Sequence, residues 1–122
     1  MKILIIDDSR VIHLLVKEIL AEAECAFDHA FNGQEGLDKL EESPAGYDLI
    51  LLDWEMPKLT GPDTLVEIKR RGYPAPVVMM TSRNAPADIA SLLNLGAAEY
   101  IIKPFTKDIV INKIASIVNV ST

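Results

Sequence analysis

The sequence has a single cysteine, Cys25, which excludes an internal disulfide and fits a reducing compartment. No apolar run approaches the length of a membrane span, so insertion into a bilayer is not expected. A basic excess is also missing: 12 Lys and Arg stand against 18 Asp and Glu, a formal net charge of −6. Direct nucleic-acid binding, which draws on a basic face, is therefore not expected. Neither a P-loop nor a G-x-G-x-x-G is present, which argues against a nucleotide-binding module. The start, MKILIIDDS, has one Lys and a short apolar run leading straight into acids, unlike a signal peptide. A cytoplasmic protein is the expectation. His13, Cys25 and His29 are too scattered along the chain to suggest a metal site; His13 reads as an exposed polar residue of the first helix or as a partner contact, and the other two as structural. No repeat, low-complexity tract or linker interrupts the sequence.

What is present fits one domain, residues 1–122, with 49% hydrophobic and 25% charged residues. Short apolar runs alternate with longer periodic ones. KILIID (2–7), YDLILLD (47–53), APVVMMT (75–81) and AAEYII (97–102) are apolar almost throughout, as strands buried on both faces are, and CAFDHAF (25–31) is a weaker fifth. Between them the spacing predicts five helices. Ser9 is placed to cap the first, over 10–22, with Ile12, Leu15, Val16, Ile19 and Leu20 on one face. The second covers 34–42, with Glu35 and Lys39 spaced for an ion pair. Pro62, with Asp63 beside it, suits the first turn of the third, and Pro86 opens the fourth, which Gly96 ends. The fifth covers 107–118, with Val110, Ile114, Ile117 and Val118 in one stripe. Such alternation predicts an α/β fold, a doubly wound (βα)₅ domain on a parallel sheet, with its site past the carboxyl ends of the strands.

Those ends carry chemistry. The first strand leads into Asp7 and Asp8, the third into Asp53, the fourth into Thr81 and the fifth into Lys103 and Pro104. Each alone is an ordinary polar loop residue, but together they form a coherent set. Clustered carboxylates repel one another unless a cation joins them, and hard oxygen donors favour Mg²⁺ or Ca²⁺. Mg²⁺ uses one or two carboxylates plus waters and phosphate oxygens, which suits a phosphate-handling site. A carboxylate is also a competent nucleophile toward phosphorus, given neutralisation of the moving charge.

Asp7-Asp8-Ser9, DWEMP (53–57) with Gly61, VVMMTS (77–82) and GAAEYIIKPF (96–105) resemble, in register over residues 2–118, the CheY-like receiver domain of bacterial two-component response regulators. The resemblance implies a five-stranded flavodoxin-like sheet of order 2-1-3-4-5. It implies that Asp53 accepts a phosphoryl group from a phosphohistidine, so the domain assists its own phosphorylation and dephosphorylation but is not a conventional enzyme. Asp8 and Asp53 would hold Mg²⁺ directly, Asp7 partly through water, and the backbone carbonyl of Glu55 would complete the set. Lys103 would pair with phosphoryl oxygens, aimed by a cis peptide bond to Pro104. Thr81 would bind the transferred group, and Tyr100 would follow it, changing the face made by the fourth helix, fifth strand and fifth helix. The implied partners are a histidine kinase or histidine phosphotransfer domain and a downstream protein target or output domain. A monomer or a phosphorylation-dependent dimer is expected, either free-standing or part of a longer protein.

Several residues are read beside that pattern. Glu55 and Arg83 are expected to pair across the pocket mouth and slow hydrolysis, or else to be simply solvated. Trp54 is read as a packing residue whose fluorescence reports on its neighbour. Gly36 and Pro62 are expected to loosen their helix starts, Gly36 by roughly 1 kcal/mol relative to Ala. Ile89, Leu92, Leu93 and Leu95 of the fourth helix are either deeply packed or a partner patch. The alternatives to a switch are a receiver-like module that needs no phosphate, and a Mg²⁺-dependent phosphohydrolase of the haloacid dehalogenase type, which would need a cap domain for which there is no room.

Overall fold

A computed structural model of the chain describes residues 1–43 and 46–118. Pro44, Ala45 and residues 119–122, which the sequence reading assigns to the same unit, lie outside the described residues. Five strands alternate with five helices: β1 (Lys2–Ile6), α1 (Arg10–Ile19), β2 (Ala26–Ala30), α2 (Gly33–Glu42), β3 (Leu49–Asp53), α3 (Gly61–Arg70), β4 (Val77–Thr81), α4 (Pro86–Asn94), β5 (Glu99–Ile102) and α5 (Lys107–Ala115). All pairings are parallel and the sheet order is β2-β1-β3-β4-β5, as the resemblance implies.

The unbroken apolar character of the strands follows from burial on both faces. Successive side chains of a strand point to opposite sides. Leu4, Ile6, Ile50, Leu52, Val77 and Met79 pack on one side with Leu37, Leu65 and Leu92 of α2, α3 and α4. Ile3, Ile5, Leu49, Leu51, Val78 and Met80 pack on the other with Val16, Ile19, Val110 and Ile114 of α1 and α5. β2 is an edge strand, which explains its weaker apolar pattern.

Several local expectations are settled or corrected. Helix α1 stops at Ile19, because Leu20 leaves the helical conformation (φ −98°, ψ 16°) while its side chain stays buried. Ser9 stands at the N-cap without a side-chain capping bond; its N–H donates instead to Asp7 Oδ1 at 2.8 Å. Glu35 makes no ion pair with Lys39, since its carboxylate turns back to accept from Asn32 Nδ2 (2.9 Å) and the Phe31 N–H (3.3 Å). With Asn32 Oδ1 accepting the Glu35 N–H at 2.9 Å, the two residues cap the start of α2 reciprocally, as in a capping box, although Glu35 reaches the Asn32 side chain and the Phe31 N–H and not the Asn32 N–H. In α4 only Leu92 is deeply packed, whereas Leu93 is 46% exposed.

Gly36 is a further correction. A Cβ there would lie 2.4 Å from Ile6 Cδ1 and 2.9 Å from Ile6 Cγ1. Ile6 is fully buried at the end of β1, so the glycine lets α2 approach the sheet. Propensity alone makes Gly36→Ala stabilising, but the clash reverses the sign. We expect Gly36→Ala to lose about 1–3 kcal/mol, the usual cost of overpacking, measured by urea unfolding. A gain in stability would show that the contact is not tight.

Candidate functional site

The sheet brings the predicted strand-end residues together. Asp7 follows the last residue of β1, Asp53 ends the adjacent β3, Thr81 ends β4 and Lys103 follows β5. Asp7, Asp53 and Thr81 are buried, while Asp8 is exposed. Asp7, Asp8 and Asp53 each offer a carboxylate oxygen within 4.8 Å of the others. Lys103 Nζ donates to Asp53 Oδ1 at 2.8 Å and to Asp7 Oδ2 at 3.1 Å. The peptide bond from Lys103 to Pro104 is cis.

One ammonium therefore faces three carboxylates, which leaves the cluster negatively charged. Burial, helped by the nearby charges of Asp7 and Asp8, pushes the Asp53 carboxyl up to about 6 despite the opposing pull of Lys103. The hard, anionic donor set with one exposed and two buried acids fits a divalent cation such as Mg²⁺, with room on the solvent side for waters or phosphate oxygens.

The loop after β3 carries the rest of the mouth. Gly61, the first residue of α3, donates its N–H to the Trp54 carbonyl at 2.9 Å and closes this loop. Thr60 caps α3 by accepting the Asp63 N–H at 3.3 Å, and Pro62 sits in the first turn, where its missing N–H costs nothing; this is a regular helix start. Across the loop, Arg83 Nε donates to Glu55 Oε1 at 3.0 Å, and the Arg83 guanidinium lies 4.7 Å from the Trp54 ring centroid. Both side chains are about half exposed, so the pair shapes the mouth more than it stabilises the fold. Thr81 Oγ1 accepts the Arg83 N–H at 2.9 Å, which leaves the hydroxyl proton free to point at a ligand. Tyr100, on β5, is partly buried against the α4-side core, with the Lys113 ammonium 4.3 Å from its ring centroid.

The sequence reading missed His13. It is not exposed but 3% accessible, and it is not scattered from His29: the two Nδ1 atoms are 2.7 Å apart. Its Nε2 lies 2.7 Å from the Asp7 carbonyl oxygen, which ties it to the acid cluster. The signal lay in the spacing, since His13 precedes Val16 by three residues and Leu20 by seven, on the buried face of α1.

Residues 3–115 match the model of the response regulator receiver domain. The chain is 39% identical over 116 residues to the transcriptional regulatory protein CpxR of Escherichia coli, covering 95% of this chain and 48% of that protein. It is 27% identical over 118 residues to the chemotaxis protein CheY1 of Helicobacter pylori, covering 93% and 94%. The chain thus spans about half the length of the transcriptional regulators it matches. Among solved structures, the CheX–CheY–BeF₃–Mg²⁺ complex of Borrelia burgdorferi superposes with a TM-score of 0.90 at 26% identity, covering 95% of this chain and 87% of that one.

Proposed function

The chain belongs to the response regulator receiver domain family, and on that footing we propose that it is a phosphorylation-controlled switch of a two-component phosphorelay, with Asp53 as phosphoacceptor. The observation that carries this reading is the Lys103 ammonium bridging two buried carboxylates at the strand ends, beside a third acid. In the transfer, an Asp53 oxygen forms a new bond to phosphorus as the N–P bond of a phosphohistidine breaks. The imidazole leaves with the electron pair and takes up a proton. Later attack by water on phosphorus restores the carboxylate and releases inorganic phosphate. With a pKa of about 6, Asp53 is mostly ionised near neutral pH yet more basic than an ordinary carboxylate, which suits a nucleophile.

Bound Mg²⁺, held by Asp7, Asp8, Asp53 and the Glu55 carbonyl, would neutralise charge on the phosphoryl oxygens. Lys103 then turns its ammonium from Asp53 to a phosphoryl oxygen while keeping Asp7. Thr81 donates its free hydroxyl proton to another. As Thr81 is drawn toward the acids, Tyr100 follows, and the face of α4, β5 and α5 changes for a downstream partner. The donor is a histidine kinase or phosphotransfer domain, and the switch works in the cytoplasm. No helix among the described residues is long and apolar enough to cross a membrane. The family match leaves the phosphohydrolase alternative without support, and the complete acid–lysine pocket argues against a phosphate-independent module.

Two experiments follow. After reaction with a phosphoramidate donor and Mg²⁺, borohydride reduction should convert residue 53 from aspartate to homoserine, read by peptide mass; conversion elsewhere would overturn the assignment. The Glu55–Arg83 pair screens the side from which water attacks. Replacing both with Ala should shorten the phosphoryl lifetime several-fold, as followed by loss of the adduct, whereas an unchanged lifetime would remove the pair from the mechanism.

A further inference from the structure

Asp7 lies just past the point where β1 stops pairing with β3, at Ile6 and Leu52. Its N–H still donates to the Ala30 carbonyl at 3.1 Å, and its two carboxylate oxygens accept from the Ser9 N–H and from Lys103. Its own carbonyl has passed the last sheet partner. A buried carbonyl requires a donor, and the His13 ring supplies one across 2.7 Å. A carbonyl oxygen only accepts, so His13 must carry its proton on Nε2. In the neutral pair its Nδ1 is then a bare acceptor, and the 2.7 Å contact requires His29 to donate from Nδ1. The order of donation is fixed: His29 to His13 to the Asp7 carbonyl.

The surroundings hold this arrangement in place. The His13 ring packs on Phe31 with centroids 4.5 Å apart and on His29 at 4.9 Å. His29 opens onto a cavity of about 220 Å³ that Arg10 and Lys17 also line. Burial, with His13 and Lys17 from α1 and Lys39 from α2 outweighing Asp28 on β2, lowers its pKa and favours the neutral donor.

We propose that His13, oriented by His29, is a positioning residue that fixes the backbone of Asp7 and thereby sets the Asp7 carboxylate for the Mg²⁺ site. The inference rests on the proposed phosphorylation switch for its meaning, but metal binding alone tests it. Outer partners of metal ligands commonly change affinity by 10–100-fold when removed, and His13, which holds the Asp7 backbone carbonyl and not its carboxylate, belongs at the low end of that range. His13→Ala should weaken Mg²⁺ binding by about tenfold, read by quenching of Trp54 fluorescence. His13→Gln, which keeps a donor near the Nε2 position, should recover most of it. His29→Phe removes the orienting donor without touching Asp7 and should give a smaller loss.

The metal-free protein gives a readout that a merely structural role would not: nitrogen-15 imidazole shifts should show His13 protonated on Nε2 and His29 on Nδ1. This needs no variant, so it decides the hydrogen-bond order even if His13→Ala does not fold. A folded His13→Ala protein with unchanged Mg²⁺ affinity, or His13 protonated on Nδ1, would overturn the proposal. A protein that binds Mg²⁺ in a His13-dependent way yet accepts no phosphoryl group would contradict the proposed function alone.

Discussion

Lys103→Met should destabilise the metal-free protein by roughly 2–4 kcal/mol at about pH 8, and much of that loss should disappear by about pH 5. The ammonium is the cation between Asp7 and Asp53, which are 0% and 3% exposed, and it bonds to both. Removing one partner of a buried ion pair costs about 3–5 kcal/mol; the Lys103 side chain is 22% exposed, which lowers the figure. The pH dependence belongs to Asp53, whose pKa is raised to about 6 by burial. A raised carboxyl pKa gives stability that is fully present below the unfolded value, near 4, and lost as pH rises through the folded value. Without Lys103 that folded value rises further, so the variant falls behind wild type most at high pH. Urea unfolding in chelator at both pH values measures this. An equal loss at both would mean that Lys103 acts through packing and not through the Asp53 charge.

Gly61→Ala should be more damaging still, with a loss of about 3 kcal/mol or more and a site that no longer binds Mg²⁺ normally. A Cβ at Gly61 would lie 2.2 Å from the Asp53 carbonyl oxygen, 2.7 Å from Trp54 Cα and 2.9 Å from the Asp53 carbonyl carbon. All three are backbone atoms, so no rotamer change relieves the clash. Either α3 moves away from the sheet or the end of β3 moves with Asp53. Gly72→Ala is the control: its φ is +77° but nothing lies within 4 Å of a Cβ there, so it should cost only about 1–2 kcal/mol and leave the site intact. Equal effects of the two substitutions on Mg²⁺ binding would refute the close-approach argument.

The sequence was most legible where one physical cause dominated. Strands buried on both faces must be apolar throughout, so β1, β3 and β4 stood out, and the parallel arrangement followed from alternation. It then placed the acids, Thr81 and Lys103 at one edge. It was least legible where a residue served two demands. Gly36 reads as a weak helix former until the distance from α2 to Ile6 is known. Glu35 fits an ion pair with Lys39 equally well by spacing, and only the position of Asn32 at the helix start makes it a capping residue. His13 obeys the period of the buried face of α1, but a polar residue there looks out of place until the unpaired Asp7 carbonyl is seen beneath it.

The claim that Asp53 is a phosphoacceptor is tested most directly by intact mass after incubation with acetyl phosphate, with and without Mg²⁺, beside an Asp53→Asn variant. The account predicts one phosphoryl adduct that requires Mg²⁺ and is absent from the variant. An adduct that survives in Asp53→Asn, or a folded wild-type protein that gains none from acetyl phosphate or from a phosphohistidine donor, would contradict it.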